Sequence, residues 1–83
     1  AIDLGALGFR INAVLPGALD TPMTRQNLSS EQVNNLEVLS PLHRLSSLSD
    51  VSKTVFWLVS PDSGSVTGQF LKVDSGFSNA RIL

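Results

Sequence analysis

Apolar positions along this chain repeat in two different ways, and the two repeats predict different elements. In Phe9-Arg10-Ile11-Asn12-Ala13-Val14-Leu15 the apolar residues are nearly continuous and lie between Gly8 and Pro16. A short, partly β-branched run bounded in this way predicts a strand over 9–15, buried on both faces as in a parallel sheet. Phe70-Leu71-Lys72-Val73, flanked by Gly68 and by Ser75-Gly76, predicts a second strand. Between them the spacing turns helical. Val33, Leu36 and Leu39 share a face after Ser29-Ser30-Glu31-Gln32, where Ser29 and Gln32 have capping-box spacing, so a helix is predicted over 30–39. Ser47 and Asp50 repeat that spacing before Val51, Val55, Leu58 and Val59, with Phe56 and Trp57 widening the apolar arc. This predicts a helix over 48–59, stopped by Ser60-Pro61-Asp62. Residues 1–7 read as the last turns of a helix with Gly8 as its stop, residues 21–28 as a looser turn, and the residues after Gly76 as a tail.

Strand, irregular excursion, helix and strand make a β-α-β crossover, which places the strands parallel and connects them right-handedly. The excursion over 16–47 leaves from the carboxyl end of the first strand, the edge where ligands bind in open α/β sheets. Two strands alone leave open edges and an under-built core, so the crossover is expected to be part of a larger doubly wound sheet.

Size supports that expectation. The chain has 83 residues and starts without Met, as though in mid-helix. A domain this short buries only about 60–65% of its unfolded surface. The chain is therefore expected to be a fragment of something longer. With 42% hydrophobic and 16% charged residues the balance is globular. A net charge of −1 provides no basic patch for nucleic acid or an anionic membrane. No apolar run approaches the ~18–20 residues that span a bilayer, and the N-terminus lacks the basic start and apolar core of a signal peptide. The absence of cysteine excludes disulfides and thiolate metal sites and is compatible with the cytoplasm, the expected location.

Side chains suited to catalysis are scarce: there is no Tyr, no Cys and a single His. His43 lacks the partners of a triad or a metal site and is expected to have a surface or packing role. Ser29, Ser30, Ser46, Ser47 and Ser49 stand at helix starts, where capping explains them, and no serine has a nucleophile-elbow context. Asp20 reads as a solvated loop acid and Asp74 as a turn-forming acid. Trp57 lies off the Val51/Val55/Leu58 stripe, which is expected to pack on the sheet. The most informative stretch is Pro16-Gly17-Ala18-Leu19-Asp20-Thr21-Pro22-Met23. Taken alone, it is either a strand-ending turn with a helix-capping Thr or the rim of a ligand site.

Five spaced pieces, in order, resemble the C-terminal part of the short-chain dehydrogenase/reductase family: Gly8 to Gly17 with Thr21-Pro22-Met23, Pro41-Leu42-His43-Arg44, Ser49-Asp50-Val51-Ser52, Val66-Thr67-Gly68-Gln69 and Val73-Asp74-Ser75-Gly76. The resemblance implies an α/β fold, the C-terminal fragment of a Rossmann-like doubly wound parallel sheet, in which residues 1–83 form part of one NAD(P)-binding domain. It implies an oxidoreductase that moves a hydride between NAD or NADP and an alcohol/carbonyl substrate, as a homo-oligomer (dimer or tetramer), with no nucleic acid or membrane partner. Carried over, Pro16 and Gly17 pack near the nicotinamide, the Leu19 backbone bonds its carboxamide, the Thr21 hydroxyl bonds the carboxamide or a phosphate oxygen, and Met23 lies close by. Residues 21–39 are implied to form a flap over the substrate, its inner side built from Met23, Leu28, Val33 and Leu36, and the helix over 48–59 and the last strand a subunit interface. The Gly-rich phosphate loop, the Tyr-x-x-x-Lys and the Ser and Asn before it have no counterpart in these residues, so no catalytic residue is assigned and the chain alone is expected to be inactive. The contrasting expectation is a non-catalytic module that docks on a full-length subunit. Ser75 stands where the family's first glycine of Gly-Gly is usual, which raises the question of strain in the last turn.

Overall fold

A computed structural model of the chain describes residues 1–79. The elements run α1 (Ile2–Gly5), β1 (Ala13–Pro16), α2 (Pro22–Asn27), α3 (Ser30–Leu39), α4 (Leu48–Val59), a 3-10 turn at Pro61–Ser63, β2 (Phe70–Val73) and a 3-10 turn at Phe77–Asn79. The expected tail after Gly76 therefore begins as a turn, and residues 80–83 lie outside the described residues. β1 and β2 pair in parallel, with Ala13 opposite Phe70 and Pro16 opposite Val73, and α4 packs on both strands.

Both capping boxes form, and they set the helix starts. The Ser29 hydroxyl accepts from the Gln32 amide at 3.1 Å while Gln32 Oε1 accepts from the Ser29 amide at 2.8 Å. Ser47 and Asp50 make the same reciprocal pair at 3.0 and 2.8 Å. Each box satisfies two amide donors that a helix start otherwise leaves unpaired. The backbone amide of Ser47, the guanidinium of Arg44 at 3.0 Å and the Ser47 hydroxyl together pull the Asp50 carboxyl down from 3.8 to about 2.

Two elements differ from expectation. The stretch expected as a looser turn contains α2, because Thr21 caps it and Pro22 at its first position already has helical φ. The first strand, expected over 9–15, forms over 13–16. Residues 10–12 lie outside the ladder and bond to the loop before β2 through side chains and the Ile11 backbone. The Ile11 amide donates to Thr67 Oγ1 at 3.1 Å, the Ile11 carbonyl accepts from Gly68 at 2.7 Å, and the Asn12 side chain joins Val66 O and the Gln69 amide at 3.0 Å each. The ladder starts only where the Ala13 amide reaches Gln69 O at 2.8 Å.

Arg10 anchors this seam. Its guanidinium donates to Leu58 O, Ser60 O, Ser63 O and Val66 O and to the Ser63 hydroxyl, at 2.9–3.2 Å. Ser63, almost fully buried, donates back toward Trp57 O and Leu58 O at 2.9 Å. The last carbonyls of α4 thus find their partners in an arginine fifty residues away in sequence, whose charge also suits the negative end of the helix.

Among the described residues the buried apolar side chains are Val33, Leu45 and Leu58. Of the expected stripe on α4, Leu58 is buried and Val51 half-buried, but Val55 is exposed, since two strands do not reach under the whole helix. Phe56, Val59 and Phe70 are each more than 70% exposed. The radius of gyration is 15.6 Å, against about 12 Å for a compact domain of this length. Apolar faces this open mark surfaces built to be covered by other elements.

In the full polypeptide that carries these residues, Arg10→Ala is expected to lower the unfolding free energy by about 2 kcal/mol, because it strands several partly buried carbonyls at once. Arg25→Ala, which breaks only exposed pairs, is expected to cost about 0–1 kcal/mol. Equal denaturant midpoints for the two variants would sink the anchoring role. Asp50 has a depressed folded-state pKa, so its stabilisation is complete above 3.8 and lost as pH falls through about 2. Thermal melts over that window should fall more steeply for the parent than for Asp50→Asn, and parallel curves would contradict this.

Candidate functional site

The carboxyl edge of β1 is assembled from three stretches: the turn after Pro16, the segment 40–46 and the turn after β2. Pro16 ends β1 opposite Val73, and the Gly17 amide continues the ladder to Val73 O at 3.2 Å. A Cβ on Gly17 would lie 2.6 Å from the Asp74 Cβ and 3.2 Å from its Cα. Glycine here is thus required by the turn that follows β2, a demand that the sequence alone did not reveal. Leu19 pairs with Ser46 in a single parallel bridge, and the Asp20 amide donates to Ser46 O at 2.8 Å. The Leu19 carbonyl accepts from Thr21 N at 3.0 Å, and among the described residues no hydrogen bond uses the Leu19 N–H.

Thr21 caps α2. Its hydroxyl accepts from the Thr24 amide at 3.2 Å and bonds Thr24 Oγ1 at 3.1 Å. Asp20 and Arg25 form a two-bond ion pair at 2.9 and 3.1 Å, and the Arg25 hydrogen bond holds the Asp20 carboxyl below its usual value. Met23 stands on α2 with 71% of its surface exposed. Of the four residues expected on the inner side of the flap, Val33 is buried, Leu28 and Leu36 are half-buried, and Met23 stands apart from them. The structure brings together Pro16, Gly17 and Leu19 at one edge, with Thr21 one turn further on.

The far wall of this edge is the turn after β2. Asp74 accepts from the Gly76 amide at 2.9 Å and the Ser78 amide at 3.0 Å. Hydrogen bonds from Ser78, then from the Gly76 amide, with Lys72 nearby, depress its pKa. Asp74 is thus the turn-forming acid expected from sequence. The strain question at Ser75 also has its answer: φ is +56°, left-handed, which costs a residue with a Cβ about 1–3 kcal/mol. The position is held by its contacts. Ser75 O accepts from the Leu42 amide at 3.1 Å, and Ser75 Oγ lies 3.2 Å from Ser46 Oγ, both serines being buried. Sequence reasoning assigned Ser46 to helix capping and missed this pair, whose partners lie 29 residues apart.

His43 is exposed, with φ of 54° and its amide on Ser40 O at 2.7 Å. Beside the edge, a groove of about 640 Å³ runs between α4 and β2, lined by Arg44, Lys53, Trp57, Lys72 and Asp74 among others. Among the described residues no helix is long and apolar enough to cross a membrane.

The family described as enoyl-(acyl carrier protein) reductase matches residues 1–78. The chain is 34% identical over 76 residues to a 3-oxoacyl-[acyl-carrier-protein] reductase of Buchnera aphidicola, with 92% of this chain covered. Against the human (3R)-3-hydroxyacyl-CoA dehydrogenase it is 40% identical over 76 residues, again with 92% covered. The crystal structure of a 3-oxoacyl-[acyl-carrier protein] reductase from Brucella melitensis superposes with a TM-score of 0.85 at 36% identity, over 92% of this chain and 28% of that one. This chain belongs to the short-chain dehydrogenase/reductase family of oxidoreductases, and its fold is a fragment of that family's Rossmann-type α/β fold. It spans 31% of the Buchnera protein and 29% of the human one.

Gly17→Ala tests the packing of this edge. Removing a glycine from a loop stabilises by about 0.4–1 kcal/mol when the new Cβ fits, whereas forcing a Cβ into a filled site costs about 1–3 kcal/mol. The contact with Asp74 predicts net destabilisation in a urea titration of the full polypeptide. A variant as stable as the parent would show that the two turns are not in contact.

Proposed function

We propose that these residues form the nicotinamide end of an NAD(P)(H)-dependent oxidoreductase that transfers a hydride between the cofactor and an alcohol/carbonyl pair. The observation that carries this reading is the edge itself. A parallel strand ends at Pro16, before Gly17, and half-buried Leu19 offers an N–H that no hydrogen bond uses among the described residues, beside a carbonyl with lone-pair capacity left over. A carboxamide has one acceptor and two donors and fits that pair. Pro16 and Gly17 would flank the ring, Thr21 would offer its remaining hydroxyl lone pair, and Met23, free on the surface of α2, is available to cover the cofactor. When bound, the cofactor supplies the hydride. This chain's residues orient the ring, and α2 and α3 act as the flap that excludes water. The proton would be handled by residues outside this chain, which has no Tyr. Uncovered Phe56, Val59, Trp57 and Phe70 support an oligomer surface on α4 and β2.

A 3-oxoacyl or 3-hydroxyacyl thioester is the first substrate to assay, since relatives in two lineages carry that chemistry in their names. The same apolar faces would also serve a non-catalytic module docking on a full-length subunit. Stopped-flow fluorescence with NADH and NADPH separates the two readings. The full polypeptide is expected to bind one of them and turn over, and the isolated chain to do neither. Turnover by the isolated chain would overturn this division of labour, and a full polypeptide without affinity for either nucleotide would overturn the cofactor reading.

A further inference from the structure

The buried hydroxyl pair Ser46–Ser75 has no part in a capping box, the strand ladder or the flap. It joins two backbone segments that each hold something else. The Ser46 carbonyl holds the Asp20 amide at 2.8 Å, and Ser46 bridges Leu19, the residue whose backbone faces the carboxamide in the reading above. The Ser75 carbonyl holds the Leu42 amide at 3.1 Å, at the start of the segment that leads into Ser46. Pro41 lies over Gly76, where a Cβ would meet it at 2.8 Å, so this segment is pressed against the turn after β2. Ser46 and Ser75 are 3% and 7% exposed, and the bond between their hydroxyls is 3.2 Å. With water largely excluded, each hydroxyl is the other's side-chain partner. A left-handed φ at a non-glycine residue is retained where surrounding contacts determine it, and such strain concentrates at functional positions.

We propose that Ser46 and Ser75 are a positioning pair that sets the height of the Leu19–Asp20 backbone relative to the end of β2, and through it the affinity for the nicotinamide end of the cofactor. Glycine at 75 would relax the turn but release the segment that carries the rim. This inference rests on the nicotinamide reading for its effect on the cofactor, but not for its effect on the backbone.

The test uses Ser75→Gly and Ser46→Ala in the full polypeptide, with steady-state kinetics and amide hydrogen exchange. Relief of strain alone predicts that Ser75→Gly is more stable and exchanges more slowly everywhere. A positioning pair predicts the opposite at one place: the Asp20 amide exchanges at least about threefold faster in both variants. It also predicts that cofactor KM rises about three- to tenfold, with the change falling on KM rather than kcat. In the double variant the effects on KM fall short of additive, since neither hydroxyl is left unpaired. Unchanged or slower exchange at Asp20 in both variants would overturn the pair's role whatever the kinetics. Faster exchange in a polypeptide with no nucleotide affinity would uphold the backbone role, overturn the effect on the cofactor, and mark the failure as that of the nicotinamide reading.

Discussion

The structure depends on one cation bonded to neutral oxygens. Arg10 has no carboxylate within salt-bridge range among the described residues, and its charge is spread over four backbone carbonyls and a hydroxyl. A helix end leaves carbonyls without intrahelical partners, here partly buried, and a guanidinium can satisfy several at once because its donors fan out in a plane. The interaction places the C-terminus of α4, the turn at 61–63 and the entry to β2 around one residue just ahead of β1. β1 and β2 pair in parallel beside it, and the edge lies where β1 ends at Pro16.

At that edge the chain is closely packed. Gly17 lies against Asp74, Leu19 bridges Ser46 through the backbone, and Gly76 lies against the Pro41 ring. Among the described residues the Leu19 N–H at this edge has no hydrogen-bond partner. α4 and β2 also carry exposed apolar side chains, Phe56, Val59 and Phe70 among them.

How much of this was legible in the sequence follows the range of the interactions. Ser29 with Gln32 and Ser47 with Asp50 are local, three residues apart, and the helices they start run over Ser30–Leu39 and Leu48–Val59 as the spacing predicts. β2 was legible because Gly68 and Ser75-Gly76 bound a short apolar run. The start of β1 was not, because Ile11 and Asn12 look like strand residues but bond to residues 66–69, a choice visible only once the chain is folded. Thr21-Pro22 was a readable helix start that the prolines and glycine around it obscured. Arg10 and the Ser46–Ser75 pair left no local signal, since each acquires its meaning from partners 29 to 56 residues away. The family resemblance located the candidate rim, but the reason for Gly17 lay in Asp74.

In the proposed function the Leu19 backbone receives the nicotinamide carboxamide at the carboxyl edge of β1. The decisive measurement is a crystal structure of the full polypeptide with its reduced nicotinamide cofactor bound. The carboxamide is expected within about 3 Å of the Leu19 N–H and C=O, with the ring beside Pro16 and Gly17. A nicotinamide bound away from Leu19, with the Leu19 amide still unpaired, would contradict it.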